Sequence, residues 1–190
     1  MYQRLFDFLD KHRTISEDDK KVIMEHSAVR NVFEGEVLLM PGQRARELFF
    51  ICNGILRTMV TNSKGDRFTQ FFVKEDHFCT ILYSFNDCVP AGEGIEAACN
   101  ANLIVFTRSG FESICAVLPW FRDLFDGISK RSLMEKIKVR GGLLGEDATT
   151  RYQKFRTSHP DIAARVSLTD IASYLEITPQ SLSRIRRIAK

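Results

Sequence analysis

Between Thr178 and Arg187 the chain reads Thr178-Pro179-Gln180-Ser181-Leu182-Ser183-Arg184-Ile185-Arg186-Arg187. At helical spacing, Gln180, Ser181, Arg184 and Arg187 share an exposed face. A glutamine amide pairs with adenine, and a guanidinium with guanine O6 and N7. Gln180, Ser181 and Arg184 are therefore candidate readers of DNA base edges, with Ser181 the weakest of the three. Thr169, Ser183, Arg186 and Arg187 carry the hydroxyls and charges suited to phosphate oxygens, contacts that set register and supply affinity.

Other chemistry is sparsely supplied. The four histidines, His12, His26, His77 and His159, lie far apart, and only His77 falls in the β-rich part of the chain. That argues against a metal site, including a cupin-like metalloenzyme. No P-loop, GxGxxG or Ser/His/Asp arrangement is present, so no residue is assigned as catalytic and none as a metal ligand. The five cysteines match no zinc spacing and form no CxxC pair. They read as reduced thiols of a cytosolic protein, serving mostly as small buried hydrophobes.

The base readers need a frame, and the residues around them supply one. From Ser167 to Arg187 the pattern is a helix-turn-helix. Ala172 is small where two helices cross, and Ile171, Leu175, Ile177, Leu182 and Ile185 stand at the apolar anchor positions. Thr178 is an N-cap and Pro179 occupies the first helical position, predicting a second helix from Pro179 to about Ile188. Glu176 stands at the turn, where glycine is usual because the backbone needs positive φ. Glutamate there costs on the order of 1 kcal/mol, so a slightly altered turn is expected. Charge points the same way. Residues 148–190 hold eight basic and three acidic residues, a net of +5 against −2 for the remainder, which suits a polyanionic partner.

Upstream, Leu5, Phe6 and Leu9 mark a first helix, and Ser16 starts a second with Glu17, Asp18 and Asp19 in its first turn. From about Val29 to Phe106, short apolar or alternating runs separated by turn residues predict an all-β roll. Phe111, Ile114, Cys115 and Leu118 form a helical stripe ending at Pro119. An amphipathic helix then runs from Trp120 to about Arg140, able to pack on its own roll or on a twin. Gly141-Gly142 is a candidate hinge, and Asp147 caps a helix over Thr149–Thr157. The expected class is α+β, with a β-roll sensor domain at 1–118, a connecting and dimerisation helix at 119–144, and a helix-turn-helix domain at 145–190.

This order of parts resembles the CRP/FNR family of bacterial transcription regulators over nearly the whole chain. Arg151-Tyr152, Ile171-Ala172-Ser173-Tyr174-Leu175 and Ser181-Leu182-Ser183-Arg184-Ile185-Arg186 are similar to the compact type common in Bacteroidetes. The resemblance implies a cyclic nucleotide-binding-like roll, a homodimer paired through the long helix, and double-stranded DNA with half-sites about one helical turn apart. The family's recognition helix opens on Arg-Glu with another Arg four residues after that Glu. Here Pro179-Gln180 take the first two positions and Arg184 matches the last, so a different site sequence is expected.

The nucleotide cassette departs further. Where the family places a ribose-binding Glu, Thr80 stands nearby, and where it places Pro-Arg, Pro90 is followed by Ala91. A cyclic phosphate lacking its Arg partner loses the charge-assisted bond that holds it, so no cyclic nucleotide, and no other cofactor, is expected. Phe72, Thr80, Leu82, Tyr83, Pro90 and Ala91 remain as a candidate pocket for an unidentified small-molecule effector, although Phe71, Phe72, Leu82, Tyr83 and Phe85 serve equally well as core. The family's iron–sulfur members carry N-terminal cysteines, whereas the first here is Cys52.

The chain shows no signal sequence and no apolar run near the roughly 18 residues of a membrane span, so a cytoplasmic location without membrane attachment is expected, with nothing extending the DNA-binding domain past Lys190. The reading is a sequence-specific, homodimeric DNA-binding transcription regulator and not an enzyme. The alternative is a ligand-sensing or interaction protein that has lost DNA binding.

Overall fold

The computed structural model describes residues 1–63, 65–142 and 145–188, without the side chain of Ile188. Lys64 of the β-rich stretch, Leu143 and Leu144 at the expected domain boundary, and Ala189 and Lys190 of the basic tail lie outside the described residues.

Two helices open the chain, α1 (Tyr2–Asp10) and α2 (Glu17–Glu25). Ser16 caps α2 by accepting the Asp19 N–H, and the Asp19 carboxylate accepts the Ser16 N–H in return. This reciprocal box satisfies two N–H groups that a helix start otherwise leaves bare. The roll follows as β1 (Ala28–Val32), β2 (Val37–Leu39), β3 (Glu47–Asn53), β4 (Leu56–Thr61), β5 (Arg67–Val73), β6 (Phe78–Cys79), α3 (Leu82–Asp87), β7 (Gly94–Ala97) and β8 (Ala101–Thr107). Its strands form two antiparallel sheets ordered β1-β8-β3-β6 and β2-β7-β4-β5. Then come α4 (Arg108–Val117), α5 (Pro119–Gly141), α6 (Ala148–Ser158), α7 (Pro160–Arg165), α8 (Leu168–Tyr174) and α9 (Pro179–Ile188). The class is the expected mixture of an antiparallel roll with flanking helices.

β3 is apolar from Leu48 to Ile51 because it is covered on both faces, and all four residues are buried. Phe50 meets Phe8 of α1 at 5.2 Å and Phe78 at 5.1 Å, while Phe106 meets Phe121 of α5 at 5.9 Å. Each such side chain contributes roughly 1.5–3 kcal/mol on burial. The tight turn into β4 requires Gly54. Its φ is +100°, and a Cβ there would lie 2.4 Å from that of Ala101.

Two helices were not legible as such. Residues 82–87, read as part of the β-rich stretch, form α3, and 160–165 form α7. Both are single short runs, for which apolar pattern alone does not separate helix from strand or loop. Burial of Ser84 and of Phe85, whose ring meets Phe111 at 5.7 Å, holds α3 in place. α6 is capped where expected, with the Asp147 carboxylate accepting the Thr149 and Thr150 N–H groups.

α5 changes character along its length. Phe121 and Phe125 are buried against the roll, but Leu133, Met134 and Ile137 are 55%, 57% and 59% exposed. It remains helical through Gly141, with Gly142 at its C-cap in helical geometry (φ −71°).

Candidate nucleic-acid interface

α8, its turn and α9 are built from the anchors the pattern singles out. Ile171, Ala172, Leu175 and Leu182 are at most 1% exposed, and Ile185 is also buried. Alanine at 172 lets the two helices meet, since any larger side chain would fill the crossing. Ser167 caps α8 by accepting the Asp170 N–H. The turn closes when the Ile177 N–H donates to the Ala172 carbonyl at 3.0 Å. Glu176 adopts φ 56° there, the left-handed geometry expected of that position, so the turn keeps its shape despite the missing glycine.

Thr178 Oγ1 accepts the Ser181 N–H at 3.1 Å and donates to Ser181 Oγ at 3.0 Å. This cap half-buries Ser181 and turns its hydroxyl toward Thr178. Gln180, Ser183, Arg184, Arg186 and Arg187 are exposed on α9, and Thr169 is exposed on α8. None of Arg184, Arg186 and Arg187 has an ion-pair partner among the described residues. A single ten-residue helix therefore presents an amide and three uncompensated guanidinium groups to solvent, an arrangement fitted to base edges and phosphates in a major groove.

The helix-turn-helix segment is seated on its own roll by contacts that sequence reading missed. Ser173 Oγ of α8 accepts the Thr69 N–H of β5 at 2.9 Å. Arg57 of β4 donates to Glu96 of β7 at 2.6 Å and to Thr69 Oγ1 at 3.0 Å, and its guanidinium also contacts the Asp170 carboxylate of α8. The side chains of this triad are only 12–15% exposed. Lys74 pairs with Asp161 at 2.7 Å, Arg165 with Glu75 at 2.6 Å, and Arg140 of α5 with Glu176 at 3.2 Å. Burial works against the Asp161 carboxylate, but Lys74 and the Ile162 N–H hold its pKa below the ordinary value. Glu75 is likewise partly desolvated, yet Arg165 and the Gly54 N–H keep its pKa low. One signal pointed here: Arg57, a lone charge within an apolar strand.

The six candidate effector residues do not converge. Thr80, Leu82 and Tyr83 line a cavity of about 260 Å³ between the roll and α5. Thr80 Oγ1 donates to the Glu47 carbonyl, while Tyr83 donates to Glu93 and accepts the Gly92 N–H. Phe72 instead faces the helix-turn-helix segment, 6.3 Å from Phe155 and 5.4 Å from Tyr174. Pro90 bridges to Arg44, and Ala91 is buried with its N–H on the Gln43 carbonyl. Among the described residues no arginine lines the roll cavity, while Lys136 does. His77 bonds through Nδ1 to the Glu75 carbonyl. Among the described residues there is no cluster of three metal-ligating side chains and no helix long and apolar enough to cross a membrane.

No protein-family model matches the chain, and no curated protein matches it. Solved structures do. FixK2 from Bradyrhizobium japonicum is 16% identical, with 85% of this chain and 83% of that chain covered, at a TM-score of 0.71. CLP from Xanthomonas campestris, described as a c-di-GMP responsive global regulator, is 13% identical over 92% and 91% of the two chains, at a TM-score of 0.72. A putative transcriptional regulator of the crp/fnr family from Eubacterium rectale is 15% identical over 92% and 83%, at a TM-score of 0.70. The chain thus has the fold of CRP/FNR regulators, a β-roll joined by a long helix to a helix-turn-helix.

Proposed function

We propose that this chain is a transcription regulator of the CRP/FNR type, acting as a homodimer that binds double-stranded DNA in the cytoplasm. The observation that carries the reading is the α9 face, where Gln180, Arg184 and Arg187 are exposed, and the arginines unpaired among the described residues, on a helix fixed by the α8–α9 turn. Gln180 and Arg184 read base edges in the major groove, with Ser181 supporting the helix start as well as facing the groove. Thr169, Ser183, Arg186 and Arg187 bind phosphates.

The exposed Leu133, Met134 and Ile137 of α5 favour pairing with the same helix of a second copy, which gives a two-fold-related DNA site. The roll acts as the sensor part and carries out no catalysis. Among the described residues its cavity beside Thr80, Leu82 and Tyr83 offers no guanidinium to a cyclic phosphate, which favours an effector other than cyclic AMP or GMP.

Selection of bound sequences from random duplex DNA by the purified chain tests the reading. An enriched two-fold-symmetric motif, with affinity falling steeply as salt rises, is expected. Absence of enrichment, or binding that ignores salt, overturns it.

A further inference from the structure

Adjoining the roll cavity, and sharing Phe71, His77, Ser132 and Lys136 with it, a second cavity of about 140 Å³ lies where β5, α5 and the helix-turn-helix segment meet. Its walls are largely aromatic. Phe72, Phe155 and Tyr174 form a triangle of rings, with Phe155 and Tyr174 5.4 Å apart. Phe71 closes another side, with the Lys136 ammonium 5.1 Å from its ring centre.

Three polar groups in this wall are unused. Tyr174 is a buried ring whose hydroxyl makes no hydrogen bond to another described residue. The ring nitrogens of His159 have none either, and burial pushes that imidazole toward its neutral form. Lys136 has no carboxylate partner among the described residues. Lys74 is already neutralised by Asp161, and Glu135 is exposed at the rim. Lys136, which the two cavities share, therefore sets one positive charge without a carboxylate partner among the described residues against the aromatic wall. An apolar cavity of roughly 150 Å³ accommodates one benzene-sized ring.

We propose that this interdomain cavity binds a small aromatic carboxylate, its ring among Phe72, Phe155 and Tyr174 and its charge at Lys136. Such a ligand touches roll, long helix and DNA-binding segment together, so it binds only the docked arrangement and stabilises it by linkage. Its regulatory meaning rests on the DNA-binding reading above. Because the docked arrangement leaves the α9 face open, the ligand tightens DNA binding by ordering that arrangement in advance.

The test uses the full chain without DNA, titrated calorimetrically with benzoate, benzyl alcohol and benzylamine. Benzoate is expected to bind best and benzylamine worst, with intermolecular NOEs from benzoate to Val139 and Ile162. Lys136→Gln should weaken benzoate about tenfold, the scale of a lost charged hydrogen bond, and leave benzyl alcohol unchanged. Val139→Phe, which fills this cavity, should abolish both, while Ile128→Phe, in the roll cavity, should leave both intact. No heat and no shift with benzoate, a preference for benzylamine, or NOEs to Ile128 instead of Val139 overturns the proposal, whether or not Val139→Phe folds. DNA affinity is measured separately by fluorescence anisotropy with and without benzoate. Benzoate binding with no DNA binding at all sinks the regulator reading and leaves the site standing, whereas DNA binding with no benzoate binding does the reverse.

Discussion

The Arg140 guanidinium lies 3.2 Å from the Glu176 carboxylate, joining the last turn of α5 to the turn between α8 and α9. This relationship accounts for glutamate at a position with φ 56°. Left-handed geometry costs a non-glycine residue roughly 1–2 kcal/mol, and an exposed ion pair returns about 0–1 kcal/mol. Glycine would remove the strain but adds about 0.5–1 kcal/mol of unfolded-state entropy. Glu176→Gly should therefore change stability by less than about 1 kcal/mol. In an Arg140→Ala background, where no pair is lost, the same change should stabilise by up to about 1 kcal/mol. Urea denaturation of the four proteins checks this. Destabilisation by Glu176→Gly in both backgrounds would show that the carboxylate has another role.

Arg57 joins two carboxylates that sit in different parts of the molecule, Glu96 in the roll and Asp170 in α8. Removing the cation leaves both acids partly buried and uncompensated. Arg57→Met should cost about 3 kcal/mol, the scale for breaking a buried pair by deleting one partner. The loss should be local to the domain contact. Hydrogen exchange at the Thr69 amide, which donates to Ser173 Oγ, should accelerate more than exchange within β3 and β8. Unchanged protection at Thr69 would sink the idea that Arg57 seats α8.

Acidification should loosen the same contact in two steps. The His159 pKa is lowered by burial from an ordinary 6.5. The unfolded chain therefore takes up this proton first, and the stability fully present above pH 6.5 is lost as pH falls through the depressed folded value. The Glu75 and Asp161 pKa values also lie below their ordinary 4.5 and 3.8. Their contribution is present above those values and is lost as pH falls through the lower folded ones. Thermal unfolding across pH 7 to pH 3 should show both phases, and His159→Gln should remove the first alone. An unaltered first phase in that variant would assign it elsewhere.

The contrast between α9 and the domain contact explains what the sequence could disclose. A helix-turn-helix is written locally: Ala172, the apolar anchors, the Thr178 cap and Pro179 all lie within a few residues, so their spacing implies their geometry. The two-sheet roll was legible for a similar reason, through turns such as Asn53-Gly54. The contact was not legible because Arg57 and Asp170 are more than a hundred positions apart, and alternation along β4 says only which way Arg57 points. The effector residues fared likewise. Phe72 and Thr80 are near neighbours in sequence, but successive strands carry them to opposite sides of Phe71 and His77, which line both cavities.

Within α9 the two classes of contact should separate by experiment. Arg184→Ala should relax preference at one base pair by about 1–3 kcal/mol, while affinity for other sequences changes little. Arg187→Ala should weaken all sequences alike and lower the salt slope by about one. Competition binding against single-base variants of the selected site, at several salt concentrations, distinguishes them. Equal loss of specificity in both variants would mean that α9 does not lie in the groove as the exposed faces imply.

The outer face of α5 sets the final expectation. Leu133, Met134 and Ile137 together leave three large apolar side chains more than half exposed on adjacent turns, a stripe that water does not favour and a twin helix would cover. Ile137→Glu places a charge within that stripe, on a residue that is 59% exposed. The monomer fold should therefore survive, with circular dichroism unchanged, while sedimentation shifts from dimer to monomer. DNA affinity for the full two-fold site should fall by well over tenfold, because two linked half-sites bind with an effective concentration that one half-site lacks. A monomeric wild-type chain, or a dimeric Ile137→Glu variant, would move the pairing surface away from α5.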